Sequence, residues 1–429
     1  MNLGRLLILL GLAVGLAPGF LAAYPLDGYE ETGIRRIEAS RLANEGVIEK
    51  YRQPPGALLP GQDIKLGLLD SGLQLPPDPD AEFTASIREI LGEQADRCSL
   101  VVLDLTEPER PRYAEHRGDE KQNVGSVGKL LVAQALFDAL ADAWGEDYDH
   151  RRRVLRESMV IADAFSVSDH HTIRIFDVEN RQLTRRAMQI GDRGSLWEYL
   201  DWMLSVSSNS AASMVMRETM LLQELGQAYP VPDEQRQQFF VTTPAAALTR
   251  LFQKTFWEPI SRSGLDLATL RQGSFFTRGG KLKVNGGGNS YATARSLLDW
   301  VVLMERGRLV DPWSSLEIKK LLYVTERRIR YASSPALIPA AVYSKSGSWW
   351  GCQEEPGFDC RPYHGNLRNY MNSVTLVEQE TDSARLYYIV VLISNVLKEN
   401  SAVTHQTMAT RIHELIRTSH GLPAKAGRK

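Results

Sequence analysis

The chain of 429 residues is poor in cysteine, with three, and in histidine, with eight. Its fifty Lys and Arg against fifty-two Asp and Glu leave a net charge of only -2. Each shortage removes a class of function. Three cysteines cannot build a disulfide scaffold, and none stands with histidine at zinc spacing. His413-Glu414 is not followed by a second histidine at the metalloprotease spacing. Without a basic field there is nothing to draw nucleic acid, so no nucleic-acid partner is expected. The glycines at 279–280 and 286–288 lack the strand-loop-helix context and the Gly-Lys-Ser/Thr of a phosphate loop. The stretch 264–290 therefore reads as a hairpin or lid. No internal repeat is present. No metal and no organic cofactor is expected.

Long apolar runs are also scarce, with one exception. Arg5 precedes an apolar segment from Leu6 to Ala23. Residues 1–23 read as a signal peptide or, being barely long enough to span a bilayer, as an N-terminal membrane anchor. Either reading places the bulk of the chain outside the cytoplasm, periplasmic or otherwise extracytoplasmic, with membrane contact only through that segment. Residues 24–80 are rich in proline and glycine and read as an arm or linker, with one amphipathic helix between Ile34 and Tyr51. The domain proper is expected over 81–420, with 421–429 a disordered tail. Apolar content of 43% and charged content of 24% are ordinary for a globular protein of this size. Cys352 and Cys360 flank a short Pro-Gly loop that a disulfide could close, and Cys98 reads as a buried thiol. Oligomeric state is not legible.

Within the domain, patterning predicts a helix at 81–94 and strands at 99–105 and 112–116. Helices are expected at 148–165 and 195–204, the latter opened by a capping box of Ser195 and Glu198. Extended chain is expected at 172–178, and further helices from 209, 243, 292 and 313. Three strands, 340–350, 370–379 and 385–396, precede a last helix at 403–419. Two strands near the start and three near the end imply an α/β (α+β) fold. Its mainly antiparallel five-stranded sheet is closed by both ends of the domain and packed with helices, beside an all-helical lobe.

The stretch 123–145 organises the rest. From Lys129 it is almost wholly Ala, Leu, Val and Phe, the composition of a helix buried on every side. Ser126 and Lys129, three apart, share a face at its first turn. A serine hydroxyl becomes a nucleophile only beside a base, and a lysine becomes a base only when desolvation lowers its pKa. Downstream lie Ser205-Val206-Ser207-Ser208-Asn209-Ser210 and, on a strand, Lys345-Ser346-Gly347-Ser348.

With Ser126-Val127-Gly128-Lys129, Ser207-Ser208-Asn209 and Lys345-Ser346-Gly347 in this order, the chain resembles the serine β-lactamase and penicillin-binding protein superfamily. The resemblance covers about 81–420 and is closest to class A, with Ser208 where aspartate is usual. It implies Ser126 as acylated nucleophile, Lys129 as base, Ser207 as proton relay and Asn209 holding both Lys129 and the substrate amide. It further implies substrate binding by Lys345, Ser346, Gly347 and Ser348, and an oxyanion hole from the backbone N–H groups of Ser126 and Ser348. Trp257-Glu258-Pro259 resembles the core of the class A deacylation loop, making Glu258 a candidate base for clearing the acyl-enzyme. The match breaks at Arg262, and a surface Glu-Pro is the plainer reading. The gaps between motifs imply insertions around 144–189 and 264–290. Three activities follow. The first is a β-lactamase hydrolysing β-lactam amides. The second is a D,D-carboxypeptidase, endopeptidase or related penicillin-binding enzyme acting on peptidoglycan stem peptides. The third is a non-catalytic sensor or scaffold of penicillin-binding type.

Overall fold

The computed structural model describes residues 27–49, 52–69, 71–73, 75, 76, 78–325 and 328–423. The segment read as signal or anchor, and the tail beyond 423, lie outside them.

Five antiparallel strands form the main sheet in the order Arg112–His116, Cys98–Asp104, Arg385–Asn395, Arg368–Glu380, Ala341–Gly351. Val101 lies opposite Val391, Val391 opposite Val374, and Val374 opposite Lys345. Side chains alternate between faces. Val101, Val391, Val374 and Tyr343 enter the larger core. Leu100, Val102, Val390 and Val342 enter a smaller one, closed by the helices Ala81–Leu91 and Ser401–Ser419. This alternation decides where the Lys345 motif points. Lys345 and Gly347 share the face of Tyr343 and look toward the large core, while Ser346 and Ser348 take the other face.

The large core is built around the helix Lys129–Trp144, in which every residue from Lys129 to Leu140 is buried. It packs against the helices Asn209–Leu225, Ala245–Arg262 and Pro312–Tyr323. Its interior polar groups are matched. Gln134 donates to Pro259 O at 3.0 Å and accepts from Trp300 Nε1 at 2.9 Å. Asp138 pairs with Arg262. Such matching is required, because an unpaired buried polar group costs about 1–3 kcal/mol.

The expected helix at 148–165 ends at Glu157. Ser158 turns extended, and Met159–Ile161, ending in two β-branched residues, pairs with Arg193–Ser195. Thr172–Asp177 pairs with Gln182–Ala187. The helical lobe thus carries two short ribbons beside its helices. The capping box of Ser195 and Glu198 is formed. In the stretch 264–290, Leu270–Arg271 pairs with Tyr291–Ala292 and a short helix spans Arg278–Lys283.

The segment read as an arm or linker is, where described, part of the body. Ile34, Ile37, Ile64 and Leu68 are buried in the large core. Arg36 forms a buried ion pair with Asp201 and donates to Val324 O at 2.7 Å. Its proline and glycine content suggested a spacer, but several of the apolar residues between them are buried. Cys352 and Cys360 form a disulfide. Cys98 is buried, which pushes its thiol up to about 12.

Candidate active site

Ser126 lies in a single 3-10 turn, Gly125–Gly128, that feeds directly into the buried helix. The turn is pinned to the sheet by Asn372 Nδ2, which donates to Asn123 O at 3.0 Å. The Lys345 strand passes so closely that a Cβ on Gly347 would lie 2.7 Å from Ser126 N and 2.6 Å from Val124 O. On the other side, a Cβ on Gly125 would lie 3.3 Å from Ser348 N. Backbone therefore packs on backbone, and the amides of Ser126 and Ser348 are carried to the same mouth of the cleft. Only glycine fits at 347.

Lys129 Nζ sits 3.0 Å from Ser126 Oγ, 2.7 Å from Asn209 Oδ1, 2.6 Å from Ser207 O and 3.3 Å from Ser207 Oγ. Burial brings its pKa down to about 7; the charge of Asp169 works against this shift and that of Arg330 with it. Lys345 Nζ donates to Ser207 Oγ at 2.9 Å and to Ser346 O at 2.8 Å. Its pKa is likewise pulled well down, by burial first and then by Lys129 and Arg330. Ser207 Oγ thus stands between two buried amines. The backbone of Ser207 has φ of +63, a left-handed conformation that costs a non-glycine residue roughly 1–2 kcal/mol. It is the hinge between the helix Leu196–Leu204 and the helix Asn209–Leu225.

The structure therefore brings Ser126, Lys129, Ser207, Asn209 and Lys345 into one hydrogen-bonded group, with Gly347 and Ser348 against the Ser126 turn. Ser346 stands on the opposite face of the strand. There its hydroxyl, and that of Ser348, accept from Arg330 Nη1 and Nη2, both at 2.9 Å. Arg330 was not anticipated from sequence. It opens the short 3-10 turn Arg330–Ser333 with φ of +57, and no periodicity marks it.

Glu258 does not join this group. It lies exposed near the C-terminal end of the helix Ala245–Arg262, not in a loop, and the carboxyl it acts on is that of Asp138, nine residues along the buried helix from Lys129. The reason is helical pitch. Trp257 faces the cleft wall, its Nε1 donating to Gln272 O at 3.0 Å, and the next residue is turned about 100° away. The wall beside Ser126 comes from the stretch that follows, including Gln272, Phe276, Lys281 and Asn289. Phe276 offers its ring 4.8 Å from Lys129 Nζ. No acidic residue lines this cleft of about 350 Å³ among the described residues.

Asp169 was also not foreseen. It accepts from Ser208 Oγ at 2.9 Å, Asn209 N at 2.7 Å, Ser210 N at 2.9 Å and His171 Nδ1 at 2.6 Å. Burial alone would raise its carboxyl, but the hydrogen bond and charge of His171, with the backbone donors, hold it low. Asp169, His170 and His171 each place one ligand-capable atom within 4.8 Å of the others. Both carboxylate oxygens are already engaged, so the trio is not an open metal site.

A model of the beta-lactamase enzyme family matches residues 82–358, well over half of the chain. No curated protein matches in sequence. Among solved structures, a point mutant of PBP-A, an acyl-enzyme complex with penicillin G, is 14% identical. That alignment covers 81% of this chain and 100% of that one, with a TM-score of 0.48. TLA-3 extended-spectrum beta-lactamase is 11% identical over 78% of this chain and 98% of its own, TM-score 0.49. A beta-lactamase from Sphaerobacter thermophilus DSM 20745 is 12% identical over 77% and 95%, TM-score 0.45. By the extent of the family match, the chain belongs to the beta-lactamase enzyme family, within the serine β-lactamase and penicillin-binding protein superfamily, and is a serine hydrolase.

Proposed function

We propose that this protein is a penicillin-binding enzyme of the D,D-peptidase kind, acylated on Ser126 by stem-peptide amides and, as mimics, by β-lactams. Ser126 Oγ attacks the carbonyl carbon as its proton passes to Lys129 Nζ. The C–N bond then breaks while a proton reaches the leaving nitrogen through Ser207 Oγ, leaving an ester on Ser126. The amides of Ser126 and Ser348 receive the oxyanion, worth about 2.7–4 kcal/mol per donor in the transition state. Arg330, with the hydroxyls of Ser346 and Ser348, offers a cationic pocket for the carboxylate that ends such a peptide.

The observation that carries the choice between hydrolases is the missing carboxylate. A class A β-lactamase clears its ester with water activated by a glutamate, but Glu258 is turned away and the sequence 267–298 has no acidic residue. Among the described residues, no carboxylate lines the cleft to clear an ester formed by penicillin. The size of the groove supports a substrate larger than a β-lactam. The cleft at Ser126 shares Asn123, Asn289, Ser290 and Trp349 with a second cavity of about 530 Å³ that runs on toward Tyr370 and Arg117. The apolar run at 6–23 supports export to where such peptides occur.

Fluorescent penicillin tests the reading. Stable labelling is expected, abolished by Ser126→Ala. A label that clears within seconds would instead make the protein a β-lactamase, and no label at all, with stem-peptide binding retained, would make it a sensor.

A further inference from the structure

The first turn of the helix Asn209–Leu225 carries a burden beyond its own stability. Asn209 Oδ1 must meet Lys129 Nζ, and Ser207, two residues earlier, must hold its strained backbone and place both its carbonyl and its hydroxyl on the same amine. Ser208 at the N-cap spends its oxygen locally, accepting from Ala211 N at 3.1 Å. That leaves the amides of Asn209 and Ser210 without a partner within their own helix. Asp169, about forty residues upstream, supplies it. One of its oxygens receives Ser208 Oγ, Asn209 N and Ser210 N, and the other is fixed by His171. The loop bearing it is held in turn, since Ser166 O accepts from Ser210 Oγ at 2.5 Å.

We propose that Asp169 is a positioning residue of the acylation machinery, a carboxylate delivered from the insertion between the first two motifs that locks Ser207 and Asn209 onto Lys129. This rests on the reading of Ser126 as the acylated nucleophile. A bond of this kind, from charged carboxylate to backbone N–H at a helix start, is among the stronger ones available. Two of them, with the hydroxyl of Ser208, converge on one oxygen beside the relay serine. A displacement of about 1 Å in groups aligned for proton transfer can cost about a hundredfold in rate.

Asp169→Asn keeps the shape and removes the charge. The charged or titratable groups acting on Lys129 are Asp169 and His171 from the insertion, Lys345 from the strand and Arg330 from beyond it. Asp169 is the one that favours the ammonium form, so its loss lowers the Lys129 pKa. The variant is therefore expected to acylate with penicillin about a hundredfold more slowly at its optimum, and with its acidic limb moved to lower pH. A loss of fold alone would lower the active fraction without moving that limb. Adding Ser208→Asp, which restores a carboxylate at the N-cap, is expected to recover most of the rate. An NMR titration of isotope-labelled Lys129 gives the same shift without any chemistry at Ser126, which separates this proposal from the acylation itself. Unchanged rate with unchanged Lys129 titration in Asp169→Asn overturns it, as does a rate loss that Ser208→Asp leaves in place with no shift in titration.

Discussion

A neutral amine has two N–H bonds and one lone pair, and the surroundings of Lys129 accommodate that valence. Ser207 O and Asn209 Oδ1 can only accept, so the two short contacts take two N–H bonds; the third position faces the hydroxyl of Ser126, an acceptor for the ammonium and a proton donor to the neutral amine. The contacts admit either form, and burial makes the free base accessible by bringing the pKa to about 7. An ordinary lysine at 10.5 would be neutral at pH 7 in roughly one molecule in three thousand; here about half are. Acylation by penicillin is therefore expected to rise with pH, tenfold per unit below 7, and to level off above it. Lys129→Ala should lose several kcal/mol of barrier lowering, orders of magnitude in the single-turnover acylation rate. Wild-type acylation in that variant would remove Lys129 from the chemistry. The same group makes a stability statement. Between about 7 and 10.5 the unfolded chain holds a proton that the folded one sheds, so this lysine makes the fold more stable as pH rises through that window.

At the scale of elements, the site is a contact between a turn and an edge strand, and that contact depends on an absent side chain. Gly347→Ala puts a methyl group 2.6 Å from Val124 O and 2.7 Å from Ser126 N, both backbone atoms fixed by the sheet. Neither can yield without separating the amides of Ser126 and Ser348. The expected result is loss of penicillin labelling greater than any loss of folding, checked by comparing the labelled fraction with the unfolding midpoint. Labelling at the parent rate would mean that the strand is freer to move than its packing indicates. The same scale shows what could be read in advance. Ser126, Lys129, Ser207, Asn209 and Lys345 lie in short contiguous motifs, each weak alone, and the resemblance of their order to the superfamily's motifs is what pointed to them together. Arg330, at the start of the 3-10 turn Arg330–Ser333, and Asp169, beside left-handed Ser168, belong to no such motif, and no period links their position to direction. At Glu258 the plainer reading, a surface Glu-Pro, is the one the structure has: the three residues resembled a loop, but the helix Ala245–Arg262 runs straight through them, Pro259 included.

At the scale of the molecule, the proline-rich beginning was misjudged because composition reports how a segment bends and not what its few apolar residues touch. Ile34, Ile37, Ile64 and Leu68 fill the core that supports the helix behind Lys129, and Arg36 neutralises a carboxylate with no exposure at all. A spacer could be removed without consequence; this segment cannot. Arg36→Leu leaves Asp201 buried without its cation, a change that typically costs about 3–5 kcal/mol. Against a total stability of about 5–15 kcal/mol, that is enough to leave a large unfolded fraction near physiological temperature. Pairing it with Asp201→Leu removes both charges and should recover most of the loss, because a buried pair contributes little net stability over apolar side chains of similar volume. Denaturant midpoints of the two single variants and the double variant read this directly. If Arg36→Leu unfolds at the parent midpoint, the segment is an appendage after all, and the core that holds the Lys129 helix is closed without it.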